Sequence, residues 1–389
     1  MTTISDLPED VVEEILPRVP LTSLSAVRST CKTWNTLSKN RVLCKAAVKK
    51  QFLGFIMMDY RVCSMKFHLR NDEGGDLVDD LSIKQVGILD QIEISEVLHC
   101  DGLLLCVTKD NSSLVVWNPY LGQTRLIQPS NNFHCSDRYA IEYDNNRNLK
   151  ILRIFGDYGS SGYEIYNFRS NSWKSFDLTS DWYIGSNKRG VSFKGNTYIL
   201  AQGKIRVDSR WKIEAILLSF DFTTERFGPR LQLSFGFYYP QDLFSLSCVR
   251  EEQLVVLHQS WMVSGELEIW ITNKIDPGVV SWTKFLRSIS CCRISIQAGS
   301  FFIDEENQVV VVFDLDEYKG SETCRNQTAH IIGQDEYFKS VNIGEAPNLG
   351  RPEKYAPRIY CRPLVCSSYV PSLVPLQINQ PDTRKESDD

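Results

Sequence analysis

Two rhythms of apolar residues divide the chain. Over the first forty-five residues they recur at helical spacing: Val12, Ile15, Leu16 and Val19 fall at i, i+3, i+4 and i+7, one face of a helix. Pro8 suits a first helical turn, where a missing N–H costs little, and Glu9 and Asp10 set negative charge against the positive end of the helix dipole. Pro17 ends or kinks this helix near Leu16, because inside a helix it removes the bond to the Glu13 carbonyl. Leu21, Leu24, Val27 and Cys31, then Trp34 and Leu37, predict one or two further short helices, and Asn40 caps another through Val48. A unit near forty residues rarely holds a stable core alone. Its apolar faces therefore predict a partner, either the rest of this chain or a second protein.

From residue 96 the rhythm is that of hairpins. SEVLHCDGLLLCV, YAIEYDNNRNLKILRIF, GVSFKGNTYILA, LSCVREEQLVVL and SFFIDEENQVVVVF each set Asp, Gly, Asn or Glu between runs of Val, Ile, Leu and aromatics. Each is followed by a second hairpin: LVVWNPYLGQTRLI, YEIYNFRSNSWKSF, LLSFDFTTERFGPRL, EIWITNKIDPGVVSWTKF and the weaker AHIIGQDEYFKSV. The markers Trp117, Tyr166, Phe220 and Trp270 are 49, 54 and 50 residues apart, with Ile332 in the fifth copy. Four strands at a period of about 50 make one propeller blade. A closed ring hides the edges that would threaten so many short strands. The prediction is a small all-α module at 1–50, an all-β kelch-like propeller at 51–376 and a polar disordered tail at 377–389. An open sandwich is the alternative for the body. Five repeats fill roughly 96–344, so six blades are expected, five or seven being the neighbouring counts. SMKFHLR at 64–70 and RIYCRPLV at 358–365 are strand-like orphans at opposite ends, expected to meet in one composite blade.

Composition narrows the function classes. Forty-three basic against 48 acidic residues give a net charge of −5, no footprint for a phosphate backbone, so nucleic acid is not expected as a partner. No apolar run is long enough to span a bilayer, and no secretion signal opens the chain, so a protein of the cytoplasm or nucleus, without a membrane partner, is expected. The twelve cysteines are then reduced, most of them small buried hydrophobes. None forms the paired short-spaced sets of a zinc site, and no metal or other cofactor is expected.

The string LPEDVVEEIL, then RVPLTSL, then VRSTCKTWNTL resembles an F-box, the helical module that docks substrate receptors onto the Skp adaptor of a Skp–cullin–F-box ubiquitin ligase. The match covers residues 4 to about 45, with Pro17 departing from the usual small or aromatic residue. HCDGLLLC, VWNPYLGQTR, NFRSNSWKSFD, SFDFTTERFGPRL and EIWITNKIDPG resemble the kelch-like F-box-associated domain of the large plant F-box family. The resemblance implies that Leu7, Pro8, Val12, Ile15, Leu16, Leu24, Val27, Cys31 and Trp34 contact the adaptor. A Trp buried in a three-helix unit serves equally well as its internal core.

The residues offer no catalytic set. The sialidase-type Ser-x-Asp-x-Gly-x-x-Trp turn is absent, and His68, His99, His134, His258 and His330 are scattered outside any nucleophile motif. DLDEYKGSE at 314–322 misplaces the Gly and terminal Glu of a calcium loop, and DEEN at 304–307 reads as a hairpin tip. Trp182, Tyr183, Arg206, Arg210, Trp211, Tyr238 and Tyr239 are candidate binding anchors at turns. The expected function is a non-catalytic substrate receptor: the helical module binds the Skp adaptor and through it a cullin, and the propeller binds a target protein. The alternatives are an F-box protein acting outside a ligase, a receptor for glycans, and a propeller enzyme with a helical prefix.

Overall fold

The computed structural model describes residues 52–376 except 72–76, 90, 131–133, 135, 158–159, 186–188, 208–209, 234–241, 250–251, 261, 263–265, 277, 290–293, 295–299, 317–323, 348–362 and 367–368. Within the first 51 it describes Leu7, Pro8, Val11, Val12, Ile15, Val19, Val27 and Trp34. The kink at Pro17, residues 358–362 and the tail at 377–389 lie outside the described residues.

Three antiparallel strands open the body: β1 (Phe52–Met58), β2 (Arg61–Asn71) and β3 (Leu77–Gln85). Blade 1 follows as β4 (Ile94–Cys100), β5 (Leu103–Thr108), β6 (Leu114–Asn118) and β7 (Gln123–Ile127). Blade 2 is β8 (Arg138–Tyr143), β9 (Leu149–Asp157), β10 (Ser160–Asn167) and β11 (Ser172–Leu178). Blade 3 splits its inner strand into β12 (Trp182–Tyr183) and β13 (Gly190–Phe193), both on the long β14 (Asn196–Val207). Its outer strand is likewise split, into β16 (Arg226–Phe227) and β17 (Leu231–Gln232), both on β15 (Arg210–Asp221). Blade 4 is β18 (Leu243–Val249), β19 (Gln253–Gln259), β20 (Leu267–Asp276) and β21 (Val279–Ser288). Blade 5 is β22 (Ser300–Asp304), β23 (Val309–Leu315), β24 (Cys324–Ile332) and β25 (Phe338–Pro347). The last strand, β26 (Leu364–Cys366), returns to pair with β1, so blade 6 runs β26-β1-β2-β3.

Each innermost strand touches the next, from β26 to β4, β8, β13, β18, β22 and back to β26, which closes a six-bladed ring. The expected composite blade is present, with one correction. The 64–70 segment lies in β2, and β1 separates it from the C-terminal strand: Phe55, Ile56 and Met57 face Cys366, Val365 and Leu364.

Apolar alternation builds a core between every pair of blades. Phe67, Phe302 and Phe313 fill the seam of blades 5 and 6, Leu105, Ile141 and Tyr166 that of 1 and 2, and Ile165, Ile216 and Phe220 that of 2 and 3. The markers follow one rule: Trp117, Tyr166 and Phe220 sit on the third strand and face the preceding blade, and Phe67 does so in blade 6. Trp270 departs from the register expected of it. It shares that face, yet the position that continues the pairing of Leu254 is Thr272, two residues on, beside a bulge between Thr272 and Lys274. Buried Thr272 takes the Leu254 N–H on its hydroxyl at 2.9 Å and returns a bond to the Leu254 carbonyl at 3.3 Å, doing with a side chain what the ladder does elsewhere.

After β26 the chain continues as a strap. Asn118 donates to the carbonyls of Ser372 and Val374 at 3.1 and 2.9 Å, and Gln123 accepts from the Leu376 N–H at 2.9 Å. Buried Tyr369 meets Phe55 edge to face, and Leu376 joins the seam of blades 1 and 2. The strap lies so close to the β4–β5 turn that a Cβ on Gly102, whose φ is +76°, would stand 2.3 Å from the Val370 carbonyl oxygen.

Candidate interaction surfaces

In the helical module, the Val12 N–H donates to the Pro8 carbonyl at 3.1 Å, so the first helix begins at Pro8. Leu7 is half-buried, Pro8 exposed, and Val11 exposed by 37%. Ile15, Val19 and Val27 are half-buried. Val12 and Trp34 are buried, at 0% and 7%, in the same apolar cluster that contains Phe55, Met57, Val97 and Trp117 of blades 6 and 1. Val12 and Trp34, two of the positions the resemblance offers to the adaptor, thus pack with the ring, and the small unit meets part of its need for a partner within this chain. Leu16, Leu24 and Cys31 lie outside the described residues.

Topology separates two faces of the ring. The chain leaves the helical module into β1, the second strand of its blade, and second strands run the same way in every blade. The chain therefore enters β1 at Phe52 on the face of the tight turns, such as Asp101–Gly102, Asn145–Asn148 and Lys194–Gly195. The opposite face carries the longer connections between blades, 86–93, 128–137, 179–189, 233–242 and 289–299. From it projects the β14–β15 ribbon, twelve residues a side, which outruns its neighbours. Trp182 and Tyr183 are half-buried at its base and Arg206 is exposed along it. The side chains of Arg210 and Trp211, and residues Tyr238 and Tyr239, are not among those described.

At the centre, Arg189 reaches from blade 3 to blades 1 and 5. Its guanidinium donates to the Val97 carbonyl on the inner edge of β4 and to the Ser300 hydroxyl at 3.2 Å, and its Nε stands 3.5 Å from Glu96 Oε1. Burial holds the Glu96 carboxyl above its usual range, against the pull of Arg189 and Arg138. Ser192 to the Ile141 carbonyl, Ser247 to the Phe301 carbonyl and Cys366 to the Val97 carbonyl add bonds between inner strands of neighbouring blades. These groups hold the ring together.

The other candidates resolve into structure. His99 accepts the Gly102 N–H on Nε2 at 3.1 Å, His258 stacks on Phe244, and His330 bonds the Ser340 hydroxyl. Asp304 and Asp316 receive backbone N–H groups of their own hairpins, from Glu306 and Asn307 and from Asn326. Cys63, Cys100, Cys106 and Cys366 are buried thiols outside any disulfide, and burial raises the pKa of Cys106 and Cys366. Sequence reasoning did not find Arg189, whose single signal was a cation directly ahead of an inner strand.

Comparison with known proteins bears on both parts of the chain. Residues 4–45 match the F-box domain family, and residues 53–376 match the F-box associated beta propeller domain family. An F-box protein of Arabidopsis thaliana is 92% identical over 389 residues, all of both chains. An F-box/kelch-repeat protein of the same plant is 59% identical over 399 residues, again all of both chains. Another F-box protein from it is 49% identical, over 97% of this chain and all of its own.

Proposed function

Because the chain belongs to the F-box proteins that carry an F-box-associated β-propeller, we propose that it is the substrate-recognition subunit of a Skp–cullin–F-box ubiquitin ligase. The observation that carries this reading is the pairing of an F-box at 4–45 with a closed propeller at 53–376 on one chain. The Skp adaptor docks on Leu7, Pro8, Ile15 and Val27, the described F-box positions expected at the contact that keep surface open, with Leu16, Leu24 and Cys31 extending that contact. The cullin is reached through the adaptor, and a target protein is held by the propeller, in the cytoplasm or nucleus. The mechanism is effective concentration: two binding modules on one body turn a bimolecular encounter between target and charged conjugating enzyme into a local one. This chain forms no covalent bond in the process.

Leu7→Ala/Pro8→Ala should abolish capture of the Skp adaptor while the melting curve of the propeller stays in place, since apolar anchors can each be worth about 2 kcal/mol or more. Normal adaptor capture by the folded double variant rejects the assignment. Recovery of a cullin with the wild-type chain, lost in the same variant, distinguishes a ligase subunit from an F-box protein that meets the adaptor alone.

A further inference from the structure

One seam of the ring is assembled from three distant stretches of the chain. The apolar core between blades 6 and 1 joins Val12 and Trp34 of the helical module to Phe55 and Trp117 of the blades and to Cys366 and Tyr369 at the C-terminal end. Half-buried Leu373 of the strap packs against the same core. Among the described residues, no other apolar cluster takes in any of the first 51.

The C-terminal part of this core is tied down step by step. The Cys366 thiol donates to the Val97 carbonyl at 3.3 Å, and Phe55 is held edge to face between the Trp117 ring at 5.2 Å and the Tyr369 ring at 5.0 Å. From Tyr369 the strap runs outward across blade 1, past Gly102 at the inner turn, to Asn118 on the third strand and Gln123 on the fourth. It lies on the face where the chain enters β1 at Phe52. A module near forty residues leans on whatever surface completes its burial, and a close-packed core loses its shape when one wall is withdrawn. Here one wall comes from the far end of the sequence.

We propose that the strap is a latch for the F-box. With Tyr369 and Leu373 in place, the seat of Val12 and Trp34 is complete and the module stands at a fixed angle to the ring. With the strap lifted, the module leaves its seat while β26 still closes the ring. The latch sets the reach between the two binding modules. A seated module fixes that distance, whereas a released one spreads it over many values and lowers the effective concentration of a target near the conjugating enzyme. That consequence alone rests on the receptor reading above.

Two matched glycines make the latch testable. Gly102 follows Asp101 in its turn with φ of +76° after +43°, and a Cβ there would stand 2.3 Å from the Val370 carbonyl oxygen and 2.5 Å from the Ser372 nitrogen. Gly195 follows Lys194 in the same turn of blade 3 with φ of +79° after +50°, and its Cβ would meet nothing nearer than the Tyr143 carbonyl oxygen at 3.9 Å. Alanine strains both backbones alike, but only at 102 does it push on the strap.

The test uses the full chain, alone and with the Skp adaptor, carrying Val12→Cys. Reaction of the introduced thiol with N-ethylmaleimide is followed by peptide mass spectrometry, which separates it from the twelve native cysteines. Gly102→Ala in this background should speed the labelling at least tenfold. It should also speed hydrogen exchange at the Val374 and Leu376 amides, which donate to Ser372 and Gln123, while Gly195→Ala leaves both readings as they were. Leu373→Ser, which alters no turn, should speed the labelling likewise and serves where Gly102→Ala fails to fold. Coupling is reciprocal, so Trp34→Ala should speed exchange at the same two strap amides at least tenfold. Unchanged labelling in both strap variants, an equal rise in Gly195→Ala, or strap amides unmoved by Trp34→Ala overturns the proposal. Adaptor capture by the strap variants is expected to match wild type, and the labelling is read without adaptor as well, so the latch and the F-box assignment fail separately.

Discussion

His99 shows how one residue couples the closure of the ring to pH. Its Nε2 accepts the Gly102 N–H at 3.1 Å, so the ring nitrogen there is unprotonated, and burial lowers the pKa to about 4, the nearby Asp101 charge pulling weakly upward. The unfolded chain protonates this imidazole near its ordinary 6.5, whereas the folded one stays neutral until about 4. Between those values the unfolded state binds more protons, so this group's contribution to stability falls as pH falls, by an amount on the order of 3 kcal/mol. Glu142 and Glu96, whose carboxyls burial raises, act with the opposite sign: the folded state keeps their protons longer, and their contribution falls as pH rises. The comparison that isolates His99 is therefore wild type against His99→Gln, an acceptor that does not titrate. Urea unfolding across pH 4.5–7 should show the difference in stability shrinking toward acid; parallel curves for the two proteins would reject the linkage.

Blade 4 shows at the scale of a strand which features of a fold can be read from sequence and which cannot. The hairpins were legible, because alternation and turn residues are local, and so was the face of each marker, because period 2 preserves it. The register of Trp270 was not: it shows only in the pairing of β20, where Val256 faces Trp270 on one side and the ladder to β21 shifts at Ile269/Trp270 and again at Thr272/Lys274, with no unusual residue at either point. Thr272→Val keeps the volume of the side chain and removes its hydroxyl, leaving the Leu254 N–H and C=O unmatched in a buried seam. The expected loss is about 1–3 kcal/mol, read as a lower urea midpoint with unchanged slope. A variant as stable as wild type would mean that the ladder repairs itself by moving the bulge. The F-box at 4–45 was likewise legible as a motif. The burial of Val12 and Trp34 was not, because a local pattern does not say which of two surfaces an apolar face will meet.

For the whole molecule, closure depends on the C-terminus. Strand β26 supplies the inner edge of blade 6, and the strap beyond it bonds Asn118 and Gln123 of blade 1. A chain ending at 354 lacks both and should aggregate and lose its single cooperative transition, whereas one ending after Leu376 should melt as wild type. An unchanged melting temperature and solubility for the shorter chain would mean that the ring stands without its clasp. That two ends so far apart share a blade was legible only as arithmetic, from strand-like segments left over by the repeats. The strap itself carries no alternation that would have announced it.

The shared blade also sets an order of events during synthesis. Strand β1 leaves the ribosome with its pairing edge open, and its partner Val365 follows some three hundred residues later. At about 5–20 residues per second that edge waits roughly 15–60 s. Throughout that interval the Phe52–Met58 edge is a template for any other extended chain, while the helical module upstream has already emerged. Nascent chains on one message stand close together and carry the same open edge, so domain-swapped pairs joined through β1 and the β26 of a neighbour are the misassembly this architecture invites.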